Sequence, residues 1–148
     1  MTGAKITEWH RRARPTPDDK AFNVQLGCHF EEIAEMVETL TFHVDNWPAT
    51  PGVNTMLHSA LKMFADHLKR GEVTATVNDR EGFLDSLADQ TVTALGAGHC
   101  AKMDIEEAVA RVNDSNWSKF VGGRPVFDEN GKIAKPPTYR KPDLTGCF

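Results

Sequence analysis

Cysteine is scarce in this chain, and its spacing excludes two common ways of stabilising a small fold. Only Cys28, Cys100 and Cys147 occur, an odd number with no C-x-x-C pair. A disulfide framework needs paired cysteines and a cysteine zinc site needs closely spaced ones, so we expect neither. The six histidines show no H-x-x-x-H or H-E-x-x-H spacing and predict no transition-metal motif. This usage favours a reducing cytosol.

Long apolar runs and an excess of positive charge are also missing. No run approaches the about 18 apolar residues of a membrane span, and the amino terminus lacks the apolar segment of a signal peptide. We therefore expect a protein that is neither exported nor embedded in a membrane. The formal net charge of −4 gives no general attraction to nucleic acid or anionic membranes. A phosphate-bearing ligand has to be held locally, by a metal or a few basic residues.

The composition that is present fits one globular domain built from helices. Of the 148 residues, 40% are hydrophobic and 26% are charged, whereas only 8% are aromatic. A chain of this length can bury its own core, and aliphatic helix packing is the expected form of that core. We expect a single domain over residues 1–148, with an amino-terminal helix and linker (1–21), a helical core (22–120) and a carboxy-terminal arm (121–148).

Apolar residues recur at steps of three and four along the first long segment, residues 23–40. They are Leu26, Phe30, Ile33, Val37 and Leu40. This spacing predicts an amphipathic helix with one inward stripe. Further helices are expected over residues 4–14, 53–70 and 80–101, and from Asp104 to about Phe120. Asp79 and Asp104 are the expected N-caps of the last two.

The later helices have apolar sides of their own, expected to face the core. These sides consist of Met56, Leu57, Ala60, Leu61, Phe64 and Leu68, then Leu84, Leu87, Ala88, Thr91, Ala94 and Leu95, and finally Ile105, Ala108, Val109 and Val112. Asp45–Gly52 is rich in proline and predicts a loop, and the "DENG" sequence predicts a hairpin turn between Val126 and Ile133. The predicted fold is all-α, a four-helix-bundle-like unit with a short amino-terminal helix and a Pro/Gly-rich arm.

The stretch "CHFEEIAEMVETL" concentrates acidic residues on one predicted helix. At about 100° per residue, Glu31, Glu35 and Glu38 share a sector opposite the apolar stripe, and Glu32 lies beside them. One interpretation is a solvated acidic surface. The other is half of a metal site.

A second acidic pair, Asp85 and Asp89, lies four residues apart in "FLDSLADQ" and shares a side of its own helix. Like charges one turn apart destabilise a helix by about 0.2–0.5 kcal/mol, and a divalent cation reverses that effect. Mg²⁺ and Mn²⁺ prefer carboxylate oxygen, so two such helices facing each other would hold one or two ions.

The order of these motifs resembles the all-α nucleotide pyrophosphohydrolases, the group of MazG-like enzymes, dimeric dUTPases and phosphoribosyl-ATP pyrophosphohydrolase. "EEIAE" resembles their E-E-x-x-E motif, "LDSLADQTVTALGAGHCAKMDIEEAVARVNDSNWSKF" resembles their second acidic helix and the helix after it, and "GKIAKPPTYRKPDL" resembles the tail of the phosphoribosyl-ATP-pyrophosphohydrolase-like branch. The family's E-x-x-D motif is altered, because Ser86 stands three residues before Asp89. Asp85 is the expected substitute.

The resemblance implies hydrolysis of a nucleoside triphosphate to a monophosphate and pyrophosphate, with Mg²⁺ as cofactor and Mn²⁺ as an alternative. The implied metal ligands are Glu32, Glu35, Asp85 and Asp89. Glu35 is also a catalytic candidate, and Glu31 is either a further ligand or the base that takes a proton from the attacking water.

Candidate substrate-binding residues come from three places in the sequence. They are Asn113, Asn116 and Lys119 at steps of three, Lys135, Tyr139 and Arg140 in the arm, and Asn23, Gln25 and Trp47 for the base. The resemblance implies that Asn116 and Lys119 contact phosphates while the arm folds over the nucleotide. The structural alternatives are a polar helix end, a flexible tail, and caps or packing residues.

The expected activity is Mg²⁺-dependent (d)NTP pyrophosphohydrolysis, with a purine deoxynucleotide such as dGTP or dATP as substrate on family analogy. Phosphoribosyl-ATP or dUTP hydrolysis are alternatives, and a noncatalytic helical interaction protein is the alternative from another class. We expect a homodimer or homotetramer in a bacterial or phage-infected cytosol, with no nucleic acid polymer and no membrane as partner.

Overall fold

A computed structural model describes residues 2–42 and 53–148, and the regular secondary structure of these residues is almost entirely helical. Its elements are α1 (Thr2–Ala13), α2 (Asp19–Glu38), α3 (Val53–Arg70), α4 (Arg80–Cys100), α5 (Ile105–Trp117), β1 (Phe120–Val121) and β2 (Arg124–Pro125). The prediction of an all-α fold is confirmed. The loop predicted at Asp45–Gly52, with Trp47, lies outside the described residues. Within the described ranges, no helix is long and apolar enough to cross a bilayer.

The packing divides the chain into two compact units. The α2–α3 unit comprises Pro17–Ala75 and Phe127–Lys132, and the α4–α5 unit comprises Met1–Thr16, Thr76–Val126 and Ile133–Phe148. Compactness does not decide whether a unit folds by itself, so the single domain stays a prediction. The four-helix bundle also stays a prediction.

In the α2–α3 unit, two long helices pack closely in antiparallel orientation. Gly27 of α2 faces Ala65 of α3, whereas Glu38 near the end of α2 lies beside His58 near the start of α3. A Cβ at Gly27 would lie only 2.8 Å from the Ala65 carbonyl oxygen, so the absence of a side chain lets the helices approach. α2 begins at the N-cap Asp18, whose carboxylate accepts from the Ala21 amide at 2.7 Å.

The side of α2 that is buried differs from the predicted one. Its buried members after the first turn are Asn23, Val24, Gly27, Glu31, Ala34 and Val37. The expected stripe is therefore wrong in part, because Leu26, Phe30 and Ile33 are only half-buried and Leu40 follows the helix end. The small residues Gly27 and Ala34 let α3 approach the side that carries Glu31. Of the two interpretations of the acidic stretch, the solvated surface therefore does not apply to Glu31, which is buried.

The bounds of the later helices follow their predicted caps. Asp79 accepts from the Gly82 amide and Asp104 from the Glu107 amide, each at 3.0 Å. α5 ends at Trp117 rather than near Phe120, where β1 begins. The β1–β2 hairpin, which the sequence reading missed, turns through two glycines with positive φ, as a tight two-residue turn requires.

α1 packs on the end of α5 within the α4–α5 unit. Trp9 is buried, its indole N–H donates to the Asn116 carbonyl oxygen at 2.9 Å, and its ring meets Phe120 edge-on at 5.9 Å. This buried tryptophan anchors the amino-terminal helix.

α4 is mostly exposed in the described part of the chain: none of its residues is buried, and only a few, such as Phe83 and Leu87, are half-buried. The prediction that Leu84, Leu87 and Leu95 face a core is wrong, since Leu84 is 69% exposed and Leu95 39%. Apolar side chains are distributed around α4, and α5 approaches it near its end, where Gly98 meets Ile105. The prediction that Val112 faces the core is also wrong, because Val112 is exposed on α5.

The carboxy-terminal arm runs along α5 and is tied to it by hydrogen bonds. The Ser115 hydroxyl donates to the Arg140 carbonyl at 2.6 Å, and the Asp104 amide donates to the Cys147 carbonyl at 2.8 Å. The Arg111 guanidinium donates to the carbonyls of Asp143 and Thr145 at 3.0 and 2.9 Å. The flexible-tail alternative does not apply to this segment.

The predicted "DENG" turn is confirmed. The Asp128 amide donates to the Lys132 carbonyl at 2.9 Å, and the Gly131 amide, at a residue with φ of 84°, donates to the Asp128 carbonyl at 3.0 Å. This turn fixes the backbone at Lys132, which contacts α2.

Candidate functional site

Three lysines converge on the carboxylate of Glu31 in the α2–α3 unit. The Lys69 ammonium lies 2.9 Å from Oε1 and the Lys132 ammonium 2.6 Å from Oε2. Lys62 also donates to Oε1. Asp66 adjoins them at 3.0 Å from Lys69. We call Glu31, Lys62, Asp66, Lys69 and Lys132 the Glu31 cluster.

The Glu31 cluster joins three segments of the chain. Lys62 and Lys69 are seven residues apart, about two helical turns, so both lie on the side of α3 that faces α2. Lys132 comes from the Asp128–Lys132 turn, 101 residues from Glu31 in sequence. Only folding brings that ammonium to α2.

The lysines control the protonation of Glu31. Burial by itself would raise the pKa of Glu31, but hydrogen bonds from Lys132, Lys62 and Lys69 outweigh it and lower the pKa to about 2. Burial by itself would lower the pKa of the Lys69 and Lys132 ammonium groups. Their hydrogen bonds to Glu31 outweigh burial and raise both pKa values. Glu31 is therefore ionised at neutral pH and is a poor proton acceptor.

The remaining α2 glutamates have different surroundings. Glu32 and Glu35 are exposed, and neither forms a salt bridge with any of residues 2–42 or 53–148. Glu38 is exposed as well and lies 3.2 Å from His58. The E-x-x-E pair of Glu32 and Glu35 thus faces solvent, one turn from a carboxylate that lysines already neutralise.

The second predicted pair, Asp85 and Asp89, is exposed on α4 in the other unit. Among the residues that the structure describes, no three histidine, cysteine, aspartate or glutamate side chains are grouped as a metal centre. Convergence of the two acidic pairs stays a prediction. The donor chemistry of each pair fits Mg²⁺, which takes one or two carboxylates and completes its shell with water and phosphate oxygens.

A second group of predicted residues meets at the end of α5. The Lys119 ammonium lies 5.7 Å from the centroid of the Tyr139 ring and 5.9 Å from that of Trp9. The Lys135 ammonium lies 5.3 Å from the Tyr139 centroid. These distances allow cation–π attraction. We call Trp9, Lys119, Lys135 and Tyr139 the Tyr139 cluster; it joins α1, the turn after α5 and the arm.

The asparagines predicted for substrate binding differ in their surroundings. Asn113 is buried, and the backbone carbonyl of Asn116 accepts from Trp9. Asn23 is buried too: its Oδ1 accepts from the Ala75 amide at 2.6 Å and its Nδ2 donates to the Asp19 carbonyl at 2.8 Å. These bonds give the Asn23 side chain a packing role. Gln25 is exposed, and Trp47 lies outside the described residues.

Arg140 lines an open cleft of about 310 Å³ between α5 and the arm. Arg111 and Lys141 also line it, with Asp114 and Asp143 as the acidic residues. The Arg140 backbone is fixed from both sides, because its amide donates to the Ser118 hydroxyl at 2.8 Å and its carbonyl accepts from Ser115.

The sequence reading missed the lysines of the Glu31 cluster. Lys62, Asp66 and Lys69 form a K-x-x-x-D-x-x-K pattern that places all three on one side of α3, and this signal was available. Lys132 carries no such signal, since its contact depends on a turn far away in sequence.

Comparison with known proteins adds no assignment. No protein-family model matches the chain, and no curated protein and no solved structure matches it significantly.

Proposed function

We propose that this chain is a Mg²⁺-dependent nucleoside triphosphate pyrophosphohydrolase that releases a monophosphate and pyrophosphate, with a purine deoxynucleotide as its preferred substrate. The observation that supports it most is the Tyr139 cluster. The family resemblance implied that Lys119, just after the end of α5, and Lys135 and Tyr139 in the arm act on one ligand, and these side chains lie together. The structural alternatives, a polar helix end and a flexible tail, do not predict that these side chains lie together.

The proposed division of work follows the surroundings of each side chain. Glu32 holds the ion on α2 while Glu35 beside it stays available to accept a proton, and Asp85 and Asp89 supply the acidic pair of α4. When bound, Mg²⁺ supplies neutralisation of the phosphate charge and a more acidic water. Lys119 and Lys135 counter phosphate charge, and Tyr139 offers a face to the base.

Glu35 is the better candidate for the general base than Glu31. A base must accept a proton near neutral pH, and the low pKa of Glu31, about 2, makes its carboxylate a weak acceptor. Glu35 is exposed, lies one turn along the same helix, and forms no salt bridge within residues 2–42 and 53–148. We therefore propose proton transfer through Glu35, with Glu31 held as a fixed ion pair.

A homo-oligomer in the cytosol belongs to the same proposal. α4 exposes Leu84 and Val92, at 69% and 66%, and a helix that is apolar on several sides is usually covered. The same observation favours the second candidate, a noncatalytic helical interaction protein.

Release of pyrophosphate from the common NTPs and dNTPs tests the activity. We expect release with Mg²⁺ and none with EDTA, with dGTP or dATP turned over fastest; dUTP and phosphoribosyl-ATP belong in the same assay. Thermal unfolding with Mg²⁺ and a nonhydrolysable dNTP analogue should show a metal-dependent stabilisation. No pyrophosphate from any substrate and no shift in unfolding temperature would leave the interaction protein as the better candidate.

A further inference from the structure

We infer that the Glu31 cluster is a binding site for a pyrophosphate group, in which Lys62 and Lys132 contact the phosphate oxygens. The group is either free pyrophosphate or the terminal phosphates of a nucleoside triphosphate, and the second form rests on the proposed function. The Glu31 cluster shares no residue with the acidic pairs or with the Tyr139 cluster.

The charge of the Glu31 cluster favours an anion. Three ammonium groups face two carboxylates, so the cluster carries one net positive charge within a chain of net charge −4. Lys20 adds a further positive charge to this region. Its Cε lies 3.7 Å from the position that a Cβ on Gly131, the residue before Lys132, would occupy. A local positive surface of this kind is what a phosphate ligand needs on an acidic protein.

Two of the lysines keep donors available for a ligand. Lys69 is 12% exposed and is shared between Glu31 and Asp66. The Lys62 and Lys132 side chains are 37% and 42% exposed. Each ammonium has three N–H donors, and Glu31 takes one, so both side chains retain donors that face solvent.

Glu31 holds these two ammonium groups in place before any ligand arrives. Its Oε1 accepts from Lys62 of α3 and its Oε2 from Lys132 of the turn, so lysines from separate elements converge on one carboxylate. Positioning the donors in advance lowers the entropic cost of binding. Two ammonium groups match the two phosphates of pyrophosphate, and so small a positive surface cannot follow a nucleic acid backbone.

Calorimetric titration of the full chain with inorganic pyrophosphate, at low ionic strength and in EDTA, tests this site without metal. We expect Lys62→Gln and Lys132→Gln each to weaken binding by about tenfold or more, as for loss of a charged hydrogen bond. Lys5→Gln is the matched control, because Lys5 is exposed on α1. Circular dichroism verifies that each variant is folded.

Glu31→Gln should change binding in the opposite direction. The glutamine amide keeps one oxygen that can accept from a lysine, so part of the positioning is retained, while the net charge of the cluster changes from +1 to +2. The gain in charge outweighs the lost contact for a doubly or more highly charged anion, so a folded Glu31→Gln protein should bind pyrophosphate more tightly than the wild type. If the Glu31 cluster has only a structural role, neither the wild type nor the Glu31→Gln protein will bind pyrophosphate. Should Glu31→Gln fail to fold, the two lysine variants still decide.

The inference is overturned if pyrophosphate does not bind, or if both lysine variants bind as tightly as Lys5→Gln. Competition by a nonhydrolysable dNTP analogue, but not by a dNMP, identifies the ligand as nucleotide-borne; competition by neither identifies it as free pyrophosphate. Hydrolysis is measured separately. Turnover without pyrophosphate binding refutes this site alone, and binding without turnover of any substrate refutes the proposed function alone.

Discussion

Glu31 is the side chain whose ionisation is most closely coupled to folding. Its pKa in the folded chain is about 2, below the usual value of 4.5. A depressed carboxylate pKa adds stability above the unfolded value, and that stability is lost as the pH falls through the folded value.

We therefore expect the free energy of unfolding to drop between about pH 4.5 and pH 2, by up to about 3 kcal/mol from this group. Urea unfolding across that range measures it. Glu31→Gln should flatten this part of the profile, whereas Glu35→Gln, at an exposed position on the same helix, should keep it. If the free energy of unfolding falls equally steeply with pH in the wild type, Glu31→Gln and Glu35→Gln, the ionisation of Glu31 is not coupled to folding.

Glu35 provides the residue-level test of the proposed chemistry. Glu35→Gln should leave the helical circular dichroism and unfolding midpoint nearly unchanged, because the side chain is exposed, and should abolish pyrophosphate release. Glu38→Gln is the control, since Glu38 is exposed on α2 and pairs with His58. Near-normal turnover in Glu35→Gln would remove Glu35 from the proposed mechanism.

At the scale of elements, the contact between α2 and α3 depends on Gly27. A methyl group there would lie 2.8 Å from both the Ala65 carbonyl oxygen and the Lys69 Cγ. Gly27→Ala should lower the free energy of unfolding by about 1–3 kcal/mol, because overpacking outweighs the better helix propensity of alanine.

Gly96→Ala is the control for this substitution. Gly96 is also helical, and no described atom lies within 4 Å of a Cβ placed there. Alanine at that position should raise the free energy of unfolding by about 0.5–1 kcal/mol. Chemical denaturation measures both, and effects of the same sign would contradict the close packing at Gly27.

Arg111 is the main tie between α5 and the end of the arm. Arg111→Met removes its donors to the carbonyls of Asp143 and Thr145, so the end of the arm should be held less tightly against α5. Hydrogen exchange should become faster at the Cys147 amide, which donates to Leu144. Arg124→Met, at an exposed position on β2, should leave this exchange unchanged.

For the whole molecule, the exposed apolar surface of α4 predicts self-association. We expect a sedimentation mass of at least twice the 16.4 kDa of one chain. Val92→Asp should shift the mass toward the monomer, since Val92 is 66% exposed on α4, while Val121→Asp, at an exposed valine on β1, should not. A monomeric wild type would contradict the proposed homo-oligomer.

Local information in the sequence was enough to predict the five helices, though not the β1–β2 hairpin. α3 runs from Val53 to Arg70 as its periodicity predicts, and Asp79 and Asp104 cap α4 and α5. Caps and periodicity are properties of neighbouring residues. The meeting of Lys119 with Tyr139 was also expected, though only from a family resemblance.

Tertiary structure decided which side of each helix is buried and what surrounds each charge. Gly27 and Ala34 make room for α3 on the side of α2 that carries Glu31, and Lys132 reaches that carboxylate across 101 residues of sequence. Helical periodicity shows where apolar residues lie on one helix, but the side that is buried depends on how closely a second helix can approach. For this reason the sequence predicted α2 as a helix, while the lysines around Glu31 became evident only in the folded chain.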